Sequence, residues 1–200
     1  MPSGRGRKYP LEATAIANLP ALRDSLNVHD IAVHATGTLD TIQAGVATRT
    51  PDLLTGWAIL HPVRKHVPMQ GQLKFNHYNL PLLTDYKLYA EKGVAKFSGD
   101  IERLNIDLNT DLSGKDIPKG QYTALMHTDL VHQLDIDNLN AQLMKGSVNL
   151  GGVVSWKDHV TWDVQGRLDK INPKDDVLPQ VVSDFLPPSL DAKIASKGTL

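Results

Sequence analysis

Aliphatic and polar residues alternate along much of the chain. In residues 104–109 (LNIDLN) every even position is Leu or Ile, and every odd position is Asn or Asp. The alternation recurs in residues 134–137 (LDID), 139–143 (LNAQL), 160–165 (VTWDVQ) and 190–194 (LDAKI). A period of two places successive side chains on opposite faces of a strand. Each segment therefore predicts a β-strand with one apolar face and one polar face.

Glycine and proline separate these segments. A Gly-x-aliphatic unit recurs at Gly37, Gly71, Gly146, Gly166 and Gly198. Turn residues at this spacing predict a many-stranded antiparallel sheet. Proline-rich breaks near residues 61–68 and 172–188 predict crossovers or edge loops, because proline is excluded from central strands. Helical periodicity fits only residues 177–185, for one or two turns. We expect a flexible tail or cloning remnant at residues 1–9, and a single β segment over residues 10–200.

The apolar face of such a sheet needs a cover. Another sheet, the same sheet curling over itself, or a ligand would each provide one, and the alternation alone leaves all three open. Aromatic residues make up 6% of the chain, which is low for a sandwich core built on large rings. A long sheet that curls its apolar face into a groove would serve as a lipid conduit.

Composition and charge exclude several classes of protein. The formal net charge of −1 argues against a nucleic-acid partner, because such proteins usually carry a basic excess. The chain has no cysteine, so disulfides, thiolate metal sites and cysteine nucleophiles are excluded. No apolar stretch is long enough for a transmembrane helix, and no signal peptide is visible at the N-terminus.

Metal and catalytic motifs are missing from the sequence. Three histidine pairs recur at a spacing of five, namely His29 and His34, His61 and His66, and His127 and His132. Within one strand this odd spacing would place the two rings on opposite faces, which prevents chelation. The run that starts at Asp107 has Leu112 and Pro118 where an EF-hand needs Gly and Glu. We therefore expect no metal and no cofactor.

Two features leave an enzyme or a sugar-binding protein open. Trp156 and Trp162 flank a predicted tight hairpin, and an aromatic pair of this kind is one route to a carbohydrate site. Paired carboxylates of the glycosidase type are not recognisable from sequence, because the partners are often far apart along the chain. No nucleophile elbow, P-loop or dinucleotide motif is present. The sequence thus supports no catalytic residue.

Residues 104–169, with the strand pair that closes the chain, resemble a known family. The shared elements are GSVNL at 146–150, GVVSW at 152–156, VTWDV at 160–164, and the closing LDAKIASKGTL at 190–200. They are similar to the TamB family, the large periplasmic subunit of the translocation and assembly module, which belongs with the AsmA-like, bridge-type lipid-transfer proteins. The resemblance covers about half of the chain. Residues 10–103 match only in their general pattern of strands and glycines.

This resemblance implies a β-taco, a long curled antiparallel sheet with an apolar concave face. It implies a periplasmic location, in a parent protein anchored in the inner membrane of a diderm bacterium. Phospholipid acyl chains are the implied ligand, and TamA is the implied partner of the full-length protein. The chain shows neither the family's membrane anchor nor its C-terminal domain and ends within a repeat unit. We therefore expect an internal fragment that does not contact TamA directly.

The leading hypothesis is a segment of a lipid conduit with no catalytic residue. The aliphatic positions expected to line the groove are Leu104, Ile106, Leu108, Leu134, Ile136, Leu143, Val148, Leu150, Val160, Trp162, Val164 and Ile194. A second hypothesis fills the groove with nascent β-barrel strands during outer-membrane protein assembly. A third is a β-solenoid that acts on or adheres to polysaccharide. Self-association through open sheet edges is expected in each case.

Overall fold

The computed structural model describes residues 10–17, 31–48, 53–80, 88–114, 119–157, 159–172 and 189–199. These residues form twelve β-strands and no helix. The strands are β1 (Pro10–Ala17), β2 (Ile31–Thr38), β3 (Thr41–Thr48), β4 (Leu53–Leu60), β5 (Met69–Leu80), β6 (Leu88–Gly99), β7 (Leu104–Gly114), β8 (Gly120–Thr128), β9 (Gln133–Leu143), β10 (Gly146–Ser155), β11 (Thr161–Ile171) and β12 (Leu190–Thr199). The expected tail at residues 1–9 and the short helix at 177–185 lie outside the described residues.

The twelve strands form one antiparallel sheet in which spatial order follows chain order, from β1 to β12. Each strand pairs only with its neighbours in sequence, so the sheet is a continuous meander that stays open and curled. At about 4.8 Å per strand, the sheet is roughly 50 Å long across its strands. The prediction of a mainly β, taco-like sheet is confirmed.

Residues that lie opposite each other in neighbouring strands share one face of the sheet. The register therefore aligns the apolar positions of each strand with those of the next. Phe97, Ile106, Met126, Ile136, Gly152 and Val164 form one row of opposed residues. Ala95, Leu108, Ala124, Leu139, Leu150 and Gly166 form the row beside it. We call this side of the sheet the apolar face, and the other side the polar face.

Bulges keep the apolar residues on one face where the sequence changes phase. In β9, Leu139 lies opposite Leu150 and Ile136 lies opposite Gly152, which leaves Asp137 as the extra residue. Leu134 and Ile136 stand at even positions, whereas Leu139 and the next apolar residues stand at odd ones. One inserted residue brings both runs to the same face. In β6 the ladder with β7 shifts between Ala90 and Lys92 in the same way.

Large side chains on the apolar face lie over glycines of neighbouring strands. Phe75 lies across Gly93, Phe97 across Gly71, and the indole of Trp162 across Gly198. A side chain at any of these glycines would overlap the ring that covers it. This pairing stabilises the sheet because the ring buries backbone that glycine leaves bare.

Five loops lie along one edge of the sheet, at residues 39–40, 61–68, 100–103, 129–132 and 156–160. We call this border the loop edge. Hydrogen bonds join several of these loops to one another. The His61 ring is 3.0 Å from the Asp40 carbonyl oxygen, the Ile101 N–H donates to His66 O, and the Trp156 N–H donates to His132 O. The expected break at residues 61–68 is thus an ordered edge loop between adjacent strands.

Candidate functional site: the apolar face

The apolar face carries no charged side chain on any of the twelve strands, over the residues that the structure describes. Its members are aliphatic or aromatic residues, with Gly, Ala, Thr and Ser between them. The structure brings together eleven of the residues expected to line a groove: Leu104, Ile106, Leu108, Leu134, Ile136, Leu143, Val148, Leu150, Trp162, Val164 and Ile194. A hydrocarbon chain would meet no ionic group along this surface.

Val160 is the exception among the expected lining residues. The alternation places it at the start of a strand, but β11 begins at Thr161. Val160 belongs to the loop between β10 and β11, and 40% of it is exposed. An apolar residue can also occur in a loop, so the alternating pattern continues through Val160. Periodicity alone therefore did not locate the start of β11.

The apolar face is not sealed beneath a second layer of described residues. Its buried hydrophobic residues are Ala90, Leu104, Ala124, Ala141 and Ile171, most of them small. Among the described residues, no large side chain is fully buried. A sheet covered by another layer would bury its Leu, Ile and Phe side chains completely. The half-buried state of Ile106, Leu108 and Ile136 reflects contact with neighbours in the same sheet.

Trp162 and Tyr122 are large side chains of the apolar face that each carry a polar atom. The Trp162 indole N–H donates a 2.9 Å hydrogen bond to the Ser196 hydroxyl, which lies on the same face of β12. Tyr122 lies opposite Thr110 and Ala141, and burial raises the pKa of its hydroxyl. The tyrosine thus stays neutral at physiological pH, and the face remains free of charge there.

The polar face carries ion pairs and a large open cavity. Lys197 and Asp163 pair across β11 and β12 at 3.0 Å. A shallow cavity of about 1,020 Å³ is bordered by Lys74, Lys92 and Asp111. On the apolar face, by contrast, the cavity lined by Val33, Val46 and Leu73 measures about 90 Å³. The polar cavities do not suit hydrocarbon, and the apolar face offers an open surface.

Several histidines on the polar face and in the loops have hydrogen-bonding partners. The His127 ring lies between Asp135 and Asp137, at 3.3 and 3.0 Å, so its two nitrogens point to different carboxylates. His77 lies 2.8 Å from Glu91. The Ser113 hydroxyl, which donates to Glu91, and then His77 lower the pKa of that carboxyl.

The two histidine pairs at a spacing of five whose members are both described do not lie within single strands. His61 and His66 share a loop, and His127 lies in β8 while His132 lies in the following turn. His29 is outside the described residues. The argument from opposite faces of one strand therefore does not apply to the described pairs. Within the described part of the chain, no group of three His, Asp or Glu side chains is arranged to hold a metal ion.

The loop edge carries exposed apolar residues that the sequence did not single out. They are Leu39, Val63, Ile101, Leu130, Val131, Trp156 and Val160, each at least 40% exposed. Every one of the five loops contributes to this set. Alternation detects strands, whereas these residues lie in short loops among Pro, Asp and Lys. The sequence feature that could have identified them is an isolated apolar residue within a predicted turn.

Trp156 and Trp162 do not form an aromatic pair. Trp162 lies on the apolar face of β11, whereas Trp156 belongs to the loop edge and is 40% exposed. A carbohydrate site between two such rings would need both on one surface. None of the described residues belongs to a helix long and apolar enough to cross a membrane.

Comparison with known proteins agrees with the resemblance seen in the sequence. Residues 6–200 match the family model described as the TamB N-terminal domain. The translocation and assembly module subunit TamB of Haemophilus influenzae is 23% identical over 133 residues, which are 64% of this chain and 9% of that protein. The match thus covers less than a tenth of the relative's length, and no solved structure matches this chain. A family match over nearly its whole length shows that this chain belongs to the TamB N-terminal domain family.

Proposed function

We propose that this chain is a periplasmic segment of an inner-to-outer membrane bridge whose apolar face conducts phospholipids. The observation that supports it most directly is the charge-free face, which runs across twelve strands without a second layer of described residues. Acyl chains lie on this face, where they need neither hydrogen bonds nor counter-ions. The proposal assigns no catalytic residue.

Hydrophobic transfer alone is enough for this task. Each methylene moved from water to an apolar surface gains about 0.8 kcal/mol, and neighbouring strands present a similar apolar surface. A chain that slides from Ile106 in β7 to Met126 in β8 therefore exchanges similar contacts. An open face of uniform chemistry binds lipid and still lets it move, whereas a closed pocket would hold it.

The parent protein supplies the rest of the pathway. Family membership relates the chain to the translocation and assembly module, in which the relative from Haemophilus influenzae is the subunit TamB. We assign phospholipid acyl chains to this segment and contact with TamA to other parts of the parent. The parent is anchored in the inner membrane of a diderm bacterium.

A second occupant of the same face is a nascent β-barrel strand. The ladder favours this alternative at its ends, because β1 pairs only with β2, and β12 only with β11, among the described strands. The free side of an edge strand offers backbone groups for β-augmentation. The same edges favour self-association, which sedimentation over a range of concentrations would reveal as a rising mean mass.

Site-specific photo-crosslinking tests the lipid assignment. A crosslinking side chain at Ile106 or Val164 should capture phospholipid, whereas one at the adjacent Asp107 or Asp163 should capture little. The neighbours are matched controls, because one step along a strand reverses the face. Adducts are identified by mass spectrometry after incubation with phospholipid vesicles. Equal capture at Ile106 and Asp107, or protein adducts without lipid, would contradict the proposal.

A further inference from the structure

The loop edge forms the border between the apolar face and water. A phospholipid with its tails on a charge-free face must hold its phosphate outside that face, because an unpaired charge on apolar surface is costly. Tails reach about 15 Å, half of the hydrocarbon thickness of a bilayer, which equals four to five residues of a strand. From Leu60 and Met69 at the loop edge, that distance extends to the row of Gly56 and Leu73.

The loop between β4 and β5, residues 61–68 (HPVRKHVP), differs from the other loops of this edge. It contains two cations and no acid, and its Val63 is 60% exposed. Arg64 and Lys65 are exposed and have no ion pair or side-chain hydrogen bond with described residues. Each of the other four loops contains at least one acid.

The acids near this loop leave its two cations unpaired. Glu102 binds His66 at 2.6 Å, and Asp100 accepts the N–H groups of Glu102 and Arg103. Asp40 lies in the neighbouring turn, where its carbonyl oxygen contacts the His61 ring.

Backbone bonds hold the loop in place. The N–H groups of His61, Arg64 and Val67 donate to Pro68 O, His61 O and Arg64 O, at 3.0 to 3.1 Å. Because these bonds order the backbone, binding an anion costs little loop entropy.

The geometry points to the loop at residues 61–68 as a headgroup site, in which Arg64 and Lys65 bind the phosphate of a phospholipid. Val63 contacts the start of the acyl chains, whose length lies on the apolar face of β4 and β5. An apolar tip beside two cations is the arrangement that suits a lipid–water boundary. This inference rests on the proposed function and adds where the lipid phosphate lies.

The test compares a phospholipid with the same lipid lacking its phosphate. Fluorescent phosphatidylglycerol and fluorescent diacylglycerol of equal chain length are titrated against the wild type, Arg64→Gln/Lys65→Gln and Lys74→Gln/Lys96→Gln. The last variant is the matched control, because it removes two cations from the polar face. We expect Arg64→Gln/Lys65→Gln to weaken phosphatidylglycerol binding about fivefold per cation, or roughly 25-fold at low salt. Diacylglycerol binding, and both lipids on the control, should stay unchanged.

Each other outcome overturns a defined claim. Unchanged phosphatidylglycerol binding by Arg64→Gln/Lys65→Gln, with lipid capture at Ile106 preserved, would overturn the headgroup site and leave the conduit intact. Equal losses for both lipids would show a structural role for the loop. Displacement of phosphatidylglycerol by excess inorganic phosphate would indicate a free-anion site. If the wild type binds neither lipid, the conduit itself fails.

Discussion

At the scale of single residues, glycine and aromatic neighbours fix how closely the strands approach on the apolar face. Gly93 is buried and lies opposite both Phe75 and Thr110. A Cβ added at Gly93 would overlap the Phe75 ring and lie 2.8 Å from the Thr110 Cβ. Since both neighbours belong to the ladder, neither moves without disturbing adjacent strands.

We expect Gly93→Ala to lower the free energy of unfolding by about 2 kcal/mol, because the added methyl group displaces the Phe75 ring. Gly45→Ala is the matched control. A Cβ there would have no heavy atom closer than 3.9 Å, so the change should be neutral or stabilise by less than about 1 kcal/mol. Urea denaturation measures both variants, and equal effects would show that the glycine–ring contact is unimportant.

Asp129 shows how a single carboxylate orders a turn of the loop edge. It accepts the N–H groups of His132, Gln133 and Val131 at 2.7, 3.0 and 3.1 Å, and it also contacts the His132 ring. These bonds, those from His132 and Gln133 foremost, hold the pKa of Asp129 well below its usual range. The ionised form is therefore the one that the folded turn favours.

The lowered pKa of Asp129 predicts a pH dependence of stability. A carboxyl group whose pKa is lower in the folded state stabilises the protein at pH values above its unfolded-state pKa of about 3.9. This contribution is lost as the pH falls below that value towards the folded-state pKa. Between about pH 5 and pH 3 the melting temperature of the wild type should fall more steeply than that of Asp129→Asn. Circular dichroism at several pH values measures the difference. Parallel curves for the two proteins would contradict this role for Asp129.

At the scale of strands, alternation was sufficient to assign faces but not to join segments. The run around Ile106 and the run around Val164 were each assigned to an apolar face, and the register places both there. The residues 134–137 and 139–143 have opposite parity, and the sequence showed them as separate runs. Only the pairing with β8 and β10 shows that they form one strand. A bulge is recognised by two residues that lie opposite a single residue of the neighbouring strand.

Strand ends were the second feature that the pattern did not locate. Val160 continues the alternation but lies outside β11. A strand ends where its backbone stops pairing with a neighbouring strand, whatever the polarity of the next side chain. The loop edge was also missed, because each of its loops is too short for periodicity. Its ordering depends on contacts such as the one between Ile101 N–H and His66 O, which join residues distant in sequence.

The bulge in β9 predicts that Asp137 can be deleted without changing the face that the neighbouring apolar residues occupy. Without Asp137, Leu134, Ile136 and Leu139 stand at alternate positions of a regular strand and keep their partners in β8 and β10. We expect this deletion to change the free energy of unfolding by less than about 1 kcal/mol, because it removes only an exposed contact with His127. Thermal denaturation monitored by far-UV circular dichroism measures the change.

Deleting Asp135 is the control for that deletion. It removes a residue where the strand has no bulge, so Leu134 would move to the polar face or lose its partners in β8 and β10. We expect it to lower the free energy of unfolding by about 2 kcal/mol, because a leucine side chain loses its burial. Equal effects of the two deletions would show that the bulge does not keep the two runs in phase.

At the scale of the whole molecule, the sheet combines a long apolar surface with ordered borders. Domains usually bury an apolar face between two layers. Here the described residues supply one layer, and the charged side chains of its strands face away from the apolar side. The sequence predicted this asymmetry from the segments that alternate strictly, such as residues 104–109. It left open what covers the apolar face, since a sandwich and an open groove have the same period of two.

Arginine substitution on the apolar face distinguishes an open groove from a sealed core. In an open groove, the long side chain of Ile106→Arg reaches water, so the protein should stay folded and lose less than about 2 kcal/mol of stability. In a sealed core, the unpaired charge would cost about 4 kcal/mol. We expect Ile106→Arg to remain folded by circular dichroism and to bind less fluorescent phospholipid. Asp107→Arg, one residue away on the polar face, should keep both stability and lipid binding. Unfolding by Ile106→Arg alone would show that a second layer covers this face, and the conduit would then be excluded.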